Sequence, residues 1–242
     1  MTFVHGKTTG VLVDEFDLSG FFNDTSATKT LDAAEVTTYG RDDKVYIPGV
    51  EDGQLTLGGF WDGAADAVDE VLAAAFGTHV VITAGWAGVG VLGDVVTMLE
   101  GIRTEYSIDS AVADAVGISA GAQAAHGIRC GGAVIHPLSE VDSASFDGDP
   151  YDGSAASLLG GVAHLHVTAF DGTDADIRLQ HTADDPAGTP TWADLVAWEG
   201  VAAVGAIRSL VAGTVQRYLR VIVDGGTFTA TTFAVAFVRN RR

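Results

Sequence analysis

The sequence is short of sulfur, of positive charge and of long apolar runs, and each shortage removes a class of function. One cysteine, Cys130, in 242 residues excludes an intrachain disulfide framework and a zinc site built from several thiolates. Thirteen Lys and Arg stand against 32 Asp and Glu, a formal net charge of −19. A field of that sign repels phosphate backbones, which argues against a grip on nucleic acid; the simplest alternative meaning of the charge is solubility. The longest uncharged apolar run, Val80 to Gly93, has 14 residues including four glycines and stops at Asp94, short of the roughly 18 that suggest a membrane span. The first ten residues contain no apolar core, so no secretory leader is expected, and synthesis in the cytoplasm is.

The chain is instead rich in hydrophobic residues, at 47%, and in glycine, at 31 residues, with Ala and Val prominent, a composition suited to thin β layers. The acid is uneven. Residues 1–142 carry six Lys/Arg against 21 Asp/Glu, and residues 143–242 carry seven against 11. "GVLVDEF" from Gly10 reads as a strand, and Asp17 to Val36 reads as a long polar loop or arm carrying Phe21 and Phe22. "GQLTLGGF" alternates, with Leu55 and Leu57 on one side and Gln54 and Thr56 on the other, a half-buried strand. In the next segment Val68, Val71, Leu72, Ala75 and Phe76 form one helical stripe, with Asp62 as its expected cap and Gly77 as its end. "IRTEYSID" alternates again and sets Glu105 and Asp109 on its polar side. Ser139 to Ser157 is rich in Ser, Asp and Gly and reads as a linker. Beyond it, strands recur between turn signals such as "DGT" and "DGG", the pattern of a sandwich. Three parts are expected: 1–142 with an arm at 17–35, a linker at 143–157, and a β-sandwich at 158–242.

Several stretches imitate catalytic or ligand motifs. "GISAG" fits the nucleophile elbow and would make Ser119 a hydrolase nucleophile, but the elbow requires a strand–turn–helix context and the flanks are small-residue runs. "GVGVLG", Gly88 to Gly93, fits a dinucleotide fingerprint, yet the chain after it passes into β alternation instead of a crossover helix. His164 and His166 share a strand face and His181 lies nearby, with no completing cysteine or carboxylate for zinc. "DGDPYDGS" from Asp147 lacks the register of a calcium loop. No catalytic residue, metal or cofactor is expected.

The stretch "VTTYGRDDKVYIPGVEDGQLTLGGFWDG", followed by a helix, resembles the tail tube (major tail) proteins of long-tailed, non-contractile bacteriophages, as does "KTTGVLVDEFDLSGFFND" before it. The resemblance spans about residues 1–142; the remainder is similar to β-sandwich domains appended to some tail proteins. It implies a mainly β fold, a tail-tube-type barrel or sandwich with one flanking helix, plus a C-terminal β-sandwich decoration domain. It implies hexameric rings stacked into a hollow tube through which DNA is ejected without tight binding. The implied partners are further copies of the chain, the tape-measure protein and tail-end or adaptor proteins, with no membrane. The implied location is the virion tail, assembled in the cytoplasm of the bacterial host. On this reading Glu105 and Asp109 project into the lumen and Phe21 and Phe22 make contacts between rings. The alternative is a carbohydrate- or host-surface-binding sandwich that stacks sugar on Trp192, Trp198 or Tyr218; a third reading is the Ser119 hydrolase.

Overall fold

A computed structural model of the chain describes residues 5–141 and 145–240. The fold is mainly β. A 3-10 turn at Gly6–Thr8 precedes β1 (Gly10–Val13), β2 (Phe16–Asp17), β3 (Phe22–Glu35) and β4 (Tyr46–Phe60). The helix α1 (Val68–Ala74) comes next, then β5 (His79–Gly85), β6 (Val95–Asp109) and β7 (Gly117–Val141). Two short strands, β8 (Phe146–Asp147) and β9 (Tyr151–Asp152), lead to β10 (Gly161–Thr182), β11 (Ala193–Val201), β12 (Gly205–Val211) and β13 (Tyr218–Arg239).

The chain divides into two compact units, and the division is not a cut at one point. Unit 1 takes residues 1–20, 81–98 and 129–242; unit 2 takes 21–80 and 99–128. The expected boundary near residue 142 is therefore replaced by a discontinuous one, because β5, β6 and β7 each contribute residues to both units. The expected linker is also built in: Phe146 and Asp147 pair with Val223 and Ile222, and Tyr151 and Asp152 with Leu219 and Tyr218.

Unit 1 follows the strand order β11-β10-β13-β7-β6-β5-β1-β2, with β12 beside β10. Its frame is the antiparallel ribbon of β10 and β13, paired from Gly161–Arg239 to Thr182–Tyr218. Register shifts between Val167 and Ile177 break the ladder, and such bulges bend strands. The two halves of the ribbon then share one core. Leu165, Val167 and Phe233 of the first half cluster with Ile177, Leu179 and Val221 of the second, and Trp198 joins them. The other face of the first half is buried as well, where Val162, Ala236 and Val238 meet Val96, Met98 and Val134. A layer covered on both sides needs no polar alternation, which accounts for the texture of "GVAHLHV".

Unit 2 is a thinner structure. β4 pairs with β3 on one side and with β7 on the other, through Gln54–Gln123 to Phe60–Gly117. Leu55, Leu57, Ile118, Ala120 and Ala122 are buried on one face. Val68, Val71 and Leu72 of α1 are also buried. The helix is shorter than the periodicity predicts. Asp66 has φ 58°, a left-handed conformation that a helix interior does not accept. Asp62 instead closes a turn, its carboxylate accepting from the Ala64 amide at 2.9 Å, and the first helical residue is Val68. Phe76 lies past the helix end and is exposed. The helix ends at Ala74 with Ala75 as its C-cap, and Gly77, expected as its end, lies two residues beyond the cap with φ 76°.

Arg103 of β6 is 1% exposed and its Nη1 donates to the Leu72 carbonyl at 2.8 Å. A cation on a late carbonyl of the helix meets the negative end of its dipole. Tyr106 donates its hydroxyl to Asp69 of the same helix. Loss of water around the phenol, with the Asp69 carboxylate beside it, pushes the Tyr106 pKa up to about 12.

Candidate functional site

Cross-strand partners share a sheet face, so the register of unit 2 defines its second face residue by residue. Opposite the leucines, β4 presents Asp52, Gln54, Thr56 and Gly58. Against them stand Thr30, Thr28, Ser26 and Asp24 of β3 and Gln123, Gly121 and Ser119 of β7. The surface is hydroxyl, amide and carboxylate with no Lys or Arg among these positions. Of the cations nearby in sequence, Lys29 pairs with Gly53 on the leucine side and holds Glu51 at 3.0 Å, and Arg103, two residues from Glu105, is buried with its Nη1 on the Leu72 carbonyl. Glu105 belongs to the polar face: its Cβ lies 3.2 Å from where a side chain at Gly121 would begin. Gln123 binds the Gly53 carbonyl at 3.1 Å and the Asp52 carboxylate, which fixes two of its members. Glu105 and Asp109 are both exposed.

The same unit carries an arm. β4 is paired on both sides only from Gln54 to Phe60. Beyond Gly53 the ladder has just two strands, ending where the Val36 amide bonds the Val45 carbonyl at 2.8 Å. At about 3.3 Å per residue this ribbon extends roughly 23 Å past the sheet. Leu31, Tyr39, Tyr46, Ile47 and Val50 are exposed on it, Tyr39 completely. A two-stranded ribbon is marginal alone in water, and the Lys29–Glu51 and Lys44–Glu35 ion pairs on it add little. The segment expected as a loop is thus a strand, β3. Phe21 and Phe22 are at the root of the arm: the Phe21 carbonyl accepts from the Phe60 amide at 2.9 Å and Phe22 is opposite Gly59. Both are half-buried, and the apolar surface of the arm is supplied by other residues.

Ser119 sits mid-strand opposite Gly58, with no turn or helix around it, so the elbow geometry is absent. Gly88 to Gly93 is a turn and bend segment and no helix opens from it. Among the described residues no group of three His, Cys, Asp or Glu is placed to hold a metal.

The histidines form a buried relay in unit 1. The Nδ1 of His166 faces the Asp14 carbonyl at 2.8 Å and must donate there. Its Nε2 is therefore the acceptor, 2.8 Å from the Thr83 hydroxyl. That hydroxyl oxygen in turn accepts from Nδ1 of His164 at 3.1 Å. Both rings are essentially inaccessible and are held neutral. Burial pushes His166 down to about 4. It pushes His164 well below the ordinary range, with His166 and Arg208 acting in the same direction. His181 is elsewhere, its Nδ1 accepting from the Gln216 amide at 3.2 Å, so the three imidazoles do not converge.

Of the aromatics considered for sugar stacking, Trp198 is a core residue, 5% exposed, its indole N–H on Ser209 at 2.9 Å. Trp192 has the Arg220 guanidinium over its ring at 4.5 Å, and Tyr218 has Arg217 at 4.8 Å.

No known family profile matches the chain, and no curated protein sequence does. Among solved structures, it is similar to a chain of the virion of a native gene transfer agent particle, at 12% identity and TM-score 0.43 over 51% of this chain and 95% of that one. It is similar to the SPP1 Dit protein, described as a paradigm of the hub adsorption apparatus in Gram-positive infecting phages. That likeness has 11% identity and TM-score 0.39 over 96% of this chain and 100% of that one. It is similar to a chain of the phage p2 baseplate in its activated conformation, at 7% identity and TM-score 0.33 over 97% and 99%.

Proposed function

We propose that the protein is a non-enzymatic structural component of a phage tail, in which copies assemble through unit 2 into hexameric rings that stack as a tube. The carrying observation is the two-faced sheet: leucines packed on one side, and on the other a polar surface without cations. A wall for passing DNA requires that combination, because hydroxyls and carboxylates give the phosphates nothing to bind. Glu105 and Asp109 are the carboxylates proposed to face the lumen.

The arm supports the same reading. It is a protruding ribbon with exposed Tyr39, Tyr46 and Ile47, a form that costs stability in a monomer and gains it against a neighbour. Further partners on this reading are the tape-measure protein and tail-end or adaptor proteins, and the site of action is the virion. Negative-stain microscopy of the purified protein tests it. Hollow rings or tubes are the expected result; separate monomers at high concentration would defeat the reading.

A further inference from the structure

We propose that a cavity in unit 1 binds a small organic carboxylate, with Arg239 taking the carboxylate and Tyr151 and Phe237 flanking its body. The cavity has a volume of about 330 Å³, within the range of small-molecule sites. Ala133, Leu219 and Phe237 give it an apolar lining, and all three belong to the main core cluster of unit 1.

The roof is a strap anchored at both ends. At one end Tyr151 and Asp152 pair with Leu219 and Tyr218. At the other, Ser157 and Val215 exchange hydrogen bonds at 2.8 and 2.7 Å. Between the anchors Ser154 takes φ 68° and small residues leave the space beneath open. The hollow is thus preformed by the backbone, not left by a loosely packed side chain.

Arg239 supplies the chemistry. Its Nη2 is spent on the Gln216 and Arg217 carbonyls at 2.6 and 3.1 Å. Its Nε is buried without a partner, and among the described residues Nη1 has no hydrogen-bond partner. The acid nearby, Asp152, is already held by Arg217 through two bonds of 2.8 and 2.6 Å. Gly153 lets the guanidinium lie against the strap, since a Cβ there would sit 1.9 Å from Nη1. Burial lowers the Arg239 pKa, with Tyr151 and Asp152 acting in the opposite direction. In a chain of net charge −19, a partly desolvated guanidinium without an ion pair is poised to take an anion. The lining sets the rest of the ligand: a body of amino-acid to monosaccharide size with an apolar or ring face.

Calorimetric titration of the full chain tests this with two carboxylates, benzoate and glucuronate, and their neutral counterparts, benzamide and glucose. At least one carboxylate is expected to bind at least tenfold more tightly than its neutral counterpart. Preference for benzoate points to an apolar body and preference for glucuronate to a sugar acid. Arg239→Gln is expected to weaken binding at least tenfold. Ala156→Leu, which adds bulk at the cavity lining and leaves Arg239 in place, should weaken binding at least tenfold while thermal unfolding stays near that of the parent. The proposal is overturned if neutral and charged forms bind alike, if neither carboxylate binds the folded chain at millimolar concentration, or if Ala156→Leu binds as the parent does. This outcome is independent of tube assembly, which involves unit 2.

Discussion

Unit 1 and unit 2 are built from the same kind of strand and place their stability in different locations. In unit 1 the first half of the β10–β13 ribbon is buried on both faces. In unit 2 a single face is buried, and half the length of β4 has only one neighbour. Stability scales with apolar area removed from water, so the larger share of it is expected in unit 1. Unit 2 has spent its sequence on surface, and the difference separates what must fold from what must meet something else.

The largest test of this contrast is a truncation in each unit. Phe233→Ala, at a fully buried side chain of unit 1, should cost about 3–5 kcal/mol. Ile47→Ala on the arm should stay within about 0.5 kcal/mol, both read by urea denaturation. Equal losses would erase the distinction. Next in size is Arg103→Ala, which removes the buried cation from the Leu72 carbonyl and should cost about 2–3 kcal/mol. Helix unpinning would appear as faster amide exchange across Val68–Ala74.

Acid should attack the two units unequally. His166 and His136 of unit 1 are held down at about 4 by burial, below the ordinary value of about 6.5. In the window between, the unfolded chain binds more protons, so stability is full above about pH 6.5 and falls as pH drops toward 4. The His166 contribution alone is up to about 3 kcal/mol. His166→Gln should flatten that slope; an unchanged slope in denaturation midpoints from pH 7 to 4 would show the relay is not the source.

Smaller in stability, though not in consequence, are changes on the exposed surfaces. Tyr39→Ser with Ile47→Ser should shift unfolding by no more than about 0.5 kcal/mol and yet abolish ring or tube formation under the microscope. Glu105→Lys with Asp109→Lys should alter stability least of all, leave assembly intact and slow DNA ejection from a virion. Normal ejection kinetics would remove both from the lumen.

The sequence makes some of this plain and hides the rest for physical reasons. Leu55 and Leu57 alternate because one face of β4 is buried and the other is not, so period two is visible. The arm carries no such pattern, since both its faces are exposed and nothing selects for alternation; "KTLDAAE" therefore reads as a loop, and before it Thr25 and Ala27, half-buried on the leucine side, are too small to mark a period. The buried state of His164 and His166 is hidden because a layer covered on both sides buries polar and apolar positions alike. Their shared face is legible, and their hydrogen-bond partners, Thr83 and Asp14, are not, because they are many residues away. The cavity beside Arg239 leaves no local signature, being assembled from Ala133, Tyr151, Leu219 and Phe237.

The discontinuous boundary has a consequence for inheritance. Four points along the chain separate the two units, so a single recombination crossover cannot exchange one of them whole. A gene break near residue 142 would deliver a fragment missing β10 and β13 together with another missing β5, β6 and β7. Variation in this protein is then expected to accumulate by point substitution on exposed positions and by insertions at turns, and not by the trading of cassettes.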